Sequence, residues 1–256
     1  MLTKMVCAKT VGELVPNMLT GSKEVSFHSL FNTSFNILVG KELLHVGSES
    51  KQVTPFGIQV SQTDFDYLKK MYNKVILRLH DDHLFIGQVQ LNYSEVSHQN
   101  TCQILLEEDE VLSSRPVFTP FLVQTGLDFQ LLTCTDLDVY SLIGSGRGLT
   151  PSGDDFLVGM LAIHHCYSIL SVEELKKIDQ AILEKRTTDV SLAYLQAARK
   201  GFFTSTICLL LSNIDNIVLL KMYLAELAQF GHTSGRDTIS GIYEGITRYL
   251  KIKGVA

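Results

Sequence analysis

Residues 144–155 read GSGRGLTPSGDD, and this stretch separates two halves of different periodicity. Gly144, Gly146 and Gly148 permit backbone with φ > 0, so successive N–H groups can turn toward one point and form a concave donor surface. Thr150 or Ser152 is placed to cap a helix whose first turn holds Pro151, Asp154 and Asp155. A glycine loop feeding a helix N-terminus is a ready-made anion site, but two carboxylates at its mouth repel a bare phosphate. The sequence therefore calls for a mediating cation, with Mg2+ on Asp154 and Asp155, or for an arginine. Either carboxylate alone also reads as an ordinary complement to the helix dipole.

A second copy of the pattern sharpens the reading. SGDDFLVG (152–159) and SGRDTISG (234–241) both fit S-G-x-D-x-x-x-G. In each, an aspartate (Asp155, Asp237) lies four residues before a glycine (Gly159, Gly241), hence on one helical stripe. Ala162 and Cys166 continue one stripe and Gly245 the other, all small enough for two backbones to approach closely. The two helices are expected to cross near Gly159 and Gly241. Such a crossing gathers Asp154, Asp155 and Asp237, the hydroxyls of Thr150, Ser152, Thr233 and Ser234, and Arg236, with Gly153 and Gly235 at the two helix starts. A third polar cluster, RTTDVS from Arg186, also stands at a helix start, where it reads either as an ordinary cap or as donors from Thr187, Thr188 and Ser191. If it converges with the others, Arg186 and Arg236 can neutralise a phosphate or carboxylate, with Arg147 as a further candidate.

Around these motifs the first half is strand-like, with period-two runs at 24–31, 35–40, 42–47, 74–80, 83–91, 102–107 and 117–123. A short helix over Thr63–Asn73, capped by Thr63 or Asp64, interrupts them, and HDDH (80–83) reads as a hairpin tip. From Asp136 the period becomes 3.6. Helices are expected over 136–143, from about Gly153 to Leu170, from the Ser171/Glu174 capping box to Glu184, from Thr188 to Gly201, after an Asp215 cap, and at the C-terminus. The fold class is α+β: a β-rich part over 1–130 packed on a helical part over 131–256, with the site on the seam. Polar residues at strand starts, notably His28, Ser29 and Asn36, are candidates to face the second half.

Composition narrows the function. With 45% hydrophobic and 19% charged residues and a net charge of −5, the chain reads as a soluble globular protein without the basic face that nucleic acid requires. No apolar run is long enough to span a membrane and the N-terminus lacks an apolar leader, so the expected location is cytoplasmic. The five cysteines are widely spaced without C-x-x-C and read as reduced core residues. The histidines form no metal signature, and no Ser-His-Asp or Cys-His spacing points to a covalent acyl-enzyme.

GSGRGLTPSGDD, RTTDVS and GHTSGRDTISG, in this order, resemble a bacterial family whose better-understood members are the AllH-type subunits of oxamate carbamoyltransferase. The likeness covers about 136–250, with a weaker echo in SFHSLFNTSFNI (26–37). It implies a functional centre containing Gly144, Gly146, Gly148, Thr150, Ser152, Asp154, Asp155, Thr187, Thr188, His232, Ser234, Gly235 and Asp237. Asp154, Asp155, Asp237 and His232 are the candidates for catalytic work. The implied reaction, part of allantoin and purine breakdown, moves a carbamoyl group between oxamate or oxalurate and phosphate. The implied partners are other carbamoyltransferase subunits and a small anionic metabolite: phosphate, carbamoyl phosphate or oxamate. Two further readings stay open, a non-catalytic subunit that binds a phosphate-bearing metabolite and an independent Mg2+-dependent hydrolase or phosphotransferase.

Overall fold

The structure is a computed structural model that describes residues 4–50, 52–93, 100–101, 108–122 and 138–255. It is of the α+β class and divides into two compact units, Met1–Asn100 and Thr101–Ala256. The division falls before residue 130, because the segment from Glu108 folds with the helical unit.

In the first unit, strands β1 (Lys4–Val11), β2 (Val25–Leu30), β3 (Ser34–Val39), β4 (Glu42–Ser48), β5 (Gly57–Val60), β6 (Leu77–His80), β7 (His83–Ile86) and β8 (Val89–Asn92) form one sheet. Its order is β2-β3-β4-β5-β1-β8-β7-β6, and the end strands β2 and β6 approach each other, so the sheet curls into a nearly closed barrel. The β1–β8 and β4–β5 pairs are parallel and the other pairs antiparallel. Alternation drives the curl: Phe35, Ile37 and Val39 on β3 and Leu44 and Val46 on β4 are fully buried and line an apolar core. Two short helices belong to this unit, α1 (Val15–Met18) and α2 (Gln62–Lys69), and Phe65 of α2 stacks on Phe35 with ring centroids 6.1 Å apart.

The HDDH tip forms as expected, with Asp81 (φ 49°) and Asp82 (φ 60°) making the two-residue left-handed turn that matches strand twist. Other expectations need correction. The run 83–91 is two strands, because Gly87 (φ 63°) reverses the chain between Ile86 and Val89. Ser61, not Thr63 or Asp64, caps α2, accepting the Asp64 N–H at 3.2 Å. Strands β1 and β5 carry no reading in the sequence pattern above. Among the polar residues at strand starts, the Asn36 amide donates to Ser29 Oγ (3.0 Å), Ser29 Oγ lies 3.0 Å from His28 Nδ1, and Asn36 Oδ1 faces His45 Nδ1 at 3.0 Å. Cys7 is exposed on β1, so it is not a core residue, whereas Cys208 is buried. The run 102–107, Cys102 and Cys134 lie outside the described residues.

The second unit contains α3 (Glu108–Phe118), a 3-10 turn (Thr119–Phe121), α4 (Val139–Leu142), α5 (Ser152–Tyr167), α6 (Val172–Leu183), α7 (Asp189–Arg199), α8 (Ser205–Ser212), α9 (Ile217–Ala228) and α10 (Ser234–Lys253). The expected strand over 117–123 is helical as far as Phe121. Val111 and Phe118 lie seven residues apart and are both fully buried, a two-turn helical stripe that a short apolar run cannot distinguish from a strand. Thr188 caps α7 and Ser171 with Glu174 forms the capping box of α6, both as expected. Asn216, not Asp215, caps α9, accepting the N–H groups of Val218 and Leu219. Helix α5 stops at Tyr167 rather than Leu170, where Ser168 turns left-handed (φ 52°).

The most extensive helix contact is α5 against α10, and it closes on the two glycines named by the repeat. A Cβ on Gly159 would overlap the Thr238 carbonyl oxygen, and one on Gly241 the Phe156 carbonyl oxygen. The two backbones touch, so neither site accepts even a methyl group without parting the helices. Gly241→Val should lower stability by about 3 kcal/mol or more, the upper range for overpacking, because the clash is with main chain that cannot rotate away. Urea denaturation monitored by far-ultraviolet circular dichroism measures this; an unchanged midpoint would show that the helices do not meet at Gly241.

Candidate functional site

The close crossing brings the starts of α5 and α10 together, and the first consequence is at Asp154. This carboxylate is 1% exposed. Its Oδ1 accepts the Gly144 N–H at 2.8 Å, and its Oδ2 accepts the Ser191 hydroxyl at 2.6 Å and the Thr187 hydroxyl. Three hydrogen bonds thus tie the glycine loop and the start of α7 to the first turn of α5. Burial raises the Asp154 pKa, and the three donors oppose that rise. Gly144 (φ 78°) lies so close to the Arg186 carbonyl that a Cβ there would overlap it, and Gly146 (φ 120°) packs on the Ser152 N–H in the same manner. The loop conformation therefore requires glycine at both positions.

Asp155 has the opposite role. It points along the α5–α10 crossing, where the hydroxyls of Thr150 and Ser234 hydrogen-bond to it and to each other across 2.8 Å. Its Oδ2 is buried and has no hydrogen-bond partner among the described residues. Desolvation foremost, then the charges of Asp237 and Asp154, push the Asp155 pKa up to about 8 in spite of the two hydroxyls. Asp237, fully buried in the first turn of α10, faces it from the other helix. Both carboxylates stand at positive helix ends, which eases their burial without removing their mutual repulsion. At neutral pH the Asp155 carboxyl is mostly protonated, so it can donate as well as accept.

Of the residues singled out in the sequence, the structure assembles Thr150, Asp154, Asp155, Thr187, Ser191, Ser234 and Asp237. Thr188 bonds the Leu149 carbonyl and pins the far end of the glycine loop. Pro151 itself holds the cap position of α5 without a side-chain cap bond, and Thr233 holds that of α10 likewise; Thr150 instead spans to Ser234 and Asp155. Gly153 and Gly235 are packing positions, pressed against the Leu142 and Leu227 carbonyls. Arg147 and His232 are exposed, and Arg186 stacks on the Tyr140 ring at 4.1 Å, away from the carboxylates. Arg236 is half-buried in α10. Tyr194 was not anticipated: one turn after Ser191 on α7, its phenol is held above the usual range by burial and by the Asp155 charge. The i, i+3 spacing from Ser191 was its available signal.

The donor set tests the proposed Mg2+ site. A carboxylate offers about four lone-pair directions, and three at Asp154 already face N–H or O–H groups. One direction, at Oδ1, is left open, so Asp154 can offer an ion at most one ligand without giving up the donors that hold the loop. Among the described residues no group of three His, Cys, Asp or Glu side chains is arranged to hold a metal.

The Asp155 shift has a definite linkage sign. A carboxyl with a pKa raised on folding binds its proton more tightly in the native state, so its contribution is favourable at acid pH. That contribution is lost from about pH 4, the unfolded value, up to about pH 8. Asp155→Asn keeps the shape and cannot ionise. Its melting temperature relative to wild type should therefore climb between pH 5 and pH 8.5, as read by differential scanning calorimetry; a constant difference would contradict the raised pKa.

Among the described residues no helix is long and apolar enough to cross a membrane. No solved structure matches the chain. The profile described as "Oxamate carbamoyltransferase subunit AllH" matches residues 142–246, a span that includes the glycine loop, Thr187, Ser191 and both S-G-x-D-x-x-x-G motifs. The profile described as "AllH family N-terminal domain" matches residues 5–101, which is the barrel unit. With both parts matched in order, the chain belongs to the AllH family of oxamate carbamoyltransferase subunits.

Proposed function

We propose that this chain contributes Asp155 and the glycine loop to the active site of an enzyme that transfers a carbamoyl group between oxalurate and phosphate. A family described as a subunit implies further chains in the complex. The observation that carries the reading is the Asp155 carboxyl, buried beside Asp237 with its pKa pushed up to about 8 and with one buried oxygen that has no partner among the described residues. In the phosphorolytic direction a phosphate oxygen attacks the ureido carbon of oxalurate. The bond from that carbon to the oxamate nitrogen breaks, and the nitrogen must gain a proton. Asp155 supplies that proton, and the proton shed by the attacking phosphate returns to it, so oxalurate and phosphate give oxamate and carbamoyl phosphate. The Thr150 and Ser234 hydroxyls fix the carboxyl, while the glycine-loop N–H groups stabilise charge on the carbamoyl oxygen or the phosphate. Arg236, half-buried in the first turn of α10 beside Asp237, is the candidate cation to offset substrate charge, since Arg186 is stacked on Tyr140. Asp154 acts through the loop as a positioning residue.

Among the described residues the charges that act most on Asp155 are carboxylates, which favours a second reading, in which the pocket binds a metabolite while another subunit performs the chemistry. The two separate in a complex reconstituted with its partner subunits and assayed with oxalurate and phosphate. If Asp155 is the acid, Asp155→Asn should slow turnover at least about 100-fold, the low end for a general acid, with no fall in its urea midpoint. Wild-type activity should also fall as pH rises through about 8, where Asp155 loses its proton. Full turnover in Asp155→Asn, with loss only of substrate-induced thermal stabilisation, would assign the chemistry to another chain.

A further inference from the structure

The barrel of the first unit fails to close between β2 and β6, and the gap is a cavity of about 550 Å3. Its walls are Lys23 and Val25 at the start of β2, Leu77, Arg78 and Leu79 of β6, and Phe85 of β7. No backbone pairing joins the two strands. The His80↔His83 pair flanks a two-residue turn and exchanges hydrogen bonds, so by alternation Leu77 and Leu79 turn their main-chain groups away from β7, toward the gap. On the other side Glu24 C=O is bonded to Gly40 N–H at 2.8 Å, which turns the Val25 main chain outward in the same way.

The width of the gap narrows the kind of occupant. Paired strands lie about 4.8 Å apart and one absent strand leaves roughly 9.6 Å. Cα atoms of β2 and β6 come within 8 Å of each other, so where they approach there is no room for an added strand. The occupant is therefore a small molecule rather than an extended peptide. The chemistry of the walls narrows it further. Lys23 Nζ is engaged, donating to the Met18 carbonyl at 2.7 Å and lying 3.5 Å from a Glu42 carboxylate oxygen. Arg78 has no carboxylate partner among the described residues. Its guanidinium donates to the Gly87 carbonyl at 3.1 Å and lies 5.8 Å from the centre of the Phe85 ring, its cross-strand neighbour. One uncompensated planar cation beside an aromatic ring, with Val25, Leu77 and Leu79 opposite, matches an anionic head on a flat apolar body. Glu24 is the one carboxylate of the lining, and it disfavours a second negative group at that end.

We propose that the unclosed β2–β6 seam is a second ligand site, which takes a small aromatic or otherwise flat apolar anion with its charge on Arg78. This inference is independent of the carbamoyl-transfer reading. The probe is 8-anilinonaphthalene-1-sulfonate, titrated by fluorescence and calorimetry into the full chain, with uncharged 2-naphthol as a comparison. Wild type should bind the sulfonate saturably at one site. Arg78→Leu, at an exposed position, should weaken the sulfonate at least tenfold and leave 2-naphthol unaffected. Val25→Trp, which fills the gap, should abolish both, while Asp155→Asn binds as wild type does. Absence of saturable binding in wild type overturns the site. So does undiminished sulfonate binding in Arg78→Leu, which remains decisive if Val25→Trp fails to fold, and so does loss of binding in Asp155→Asn, which places the probe in the helical unit.

Discussion

The contact of the α5 backbone with the α10 backbone, carbonyl oxygen against glycine Cα at Gly159 and Gly241, fixes everything above it. Because these helices touch four to seven residues from their starts, the starts themselves cannot diverge far, and the groups in the first turns must share a small volume. Thr150 reaches Ser234, and Asp155 meets Asp237, as direct results of that separation. Larger residues at the crossing would hold the axes the usual 8–10 Å apart and open the constellation. The glycines are thus remote from any reacting group but set its dimensions.

Asp154 and Asp155 are adjacent in sequence and chemically identical, but one residue of helix is a 100° turn. Asp154 therefore faces the glycine loop and α7, where three donors saturate it, whereas Asp155 faces the crossing, where carboxylates and a phenol surround it. The first stays buried because hydrogen bonds compensate its desolvation. The second is buried with one oxygen uncompensated, and it responds by holding its proton. Burial pushes both carboxyls up, but three donors oppose the rise at Asp154, whereas neighbouring charge adds to it at Asp155.

The site rests on a loop that is itself anchored from three directions. Gly144 is held by Asp154 and pressed on Arg186, Gly153 donates to the Ser145 carbonyl at 2.9 Å, and Thr188 holds Leu149. Such cross-bracing between segments far apart in the chain keeps a polar loop in one conformation. It also explains the clustering of hydroxyl residues at helix starts: Thr150, Thr187 and Ser191 serve neighbouring elements, and Thr188 holds the loop as well as capping its own helix. The barrel shows the converse case, a sheet that satisfies its interior by alternation but leaves one seam unpaired, with an arginine beside it.

Much of this was legible from residues alone. The repeated S-G-x-D-x-x-x-G fixed a crossing at Gly159 and Gly241, because helical periodicity converts a four-residue spacing into a shared stripe wherever the helix lies. The hairpin at HDDH and the caps at Ser171 and Thr188 were readable for the same reason: their causes are local. The strand reading of 117–123 failed since a brief apolar run fits both periods, and only burial of Val111 and Phe118 among other helices selects one. The donors from residues 144, 187 and 191 that occupy Asp154 were likewise invisible, because the sequence displays the carboxylate but not its partners. Sequence determined the elements, their caps and the glycine contact, which depend on neighbours within a few residues. Tertiary structure alone decided which aspartate is saturated and which keeps its proton, and that Tyr194 and not Arg186 approaches Asp155. Desolvation and charge proximity are properties of the space that distant segments enclose, so no local pattern records them.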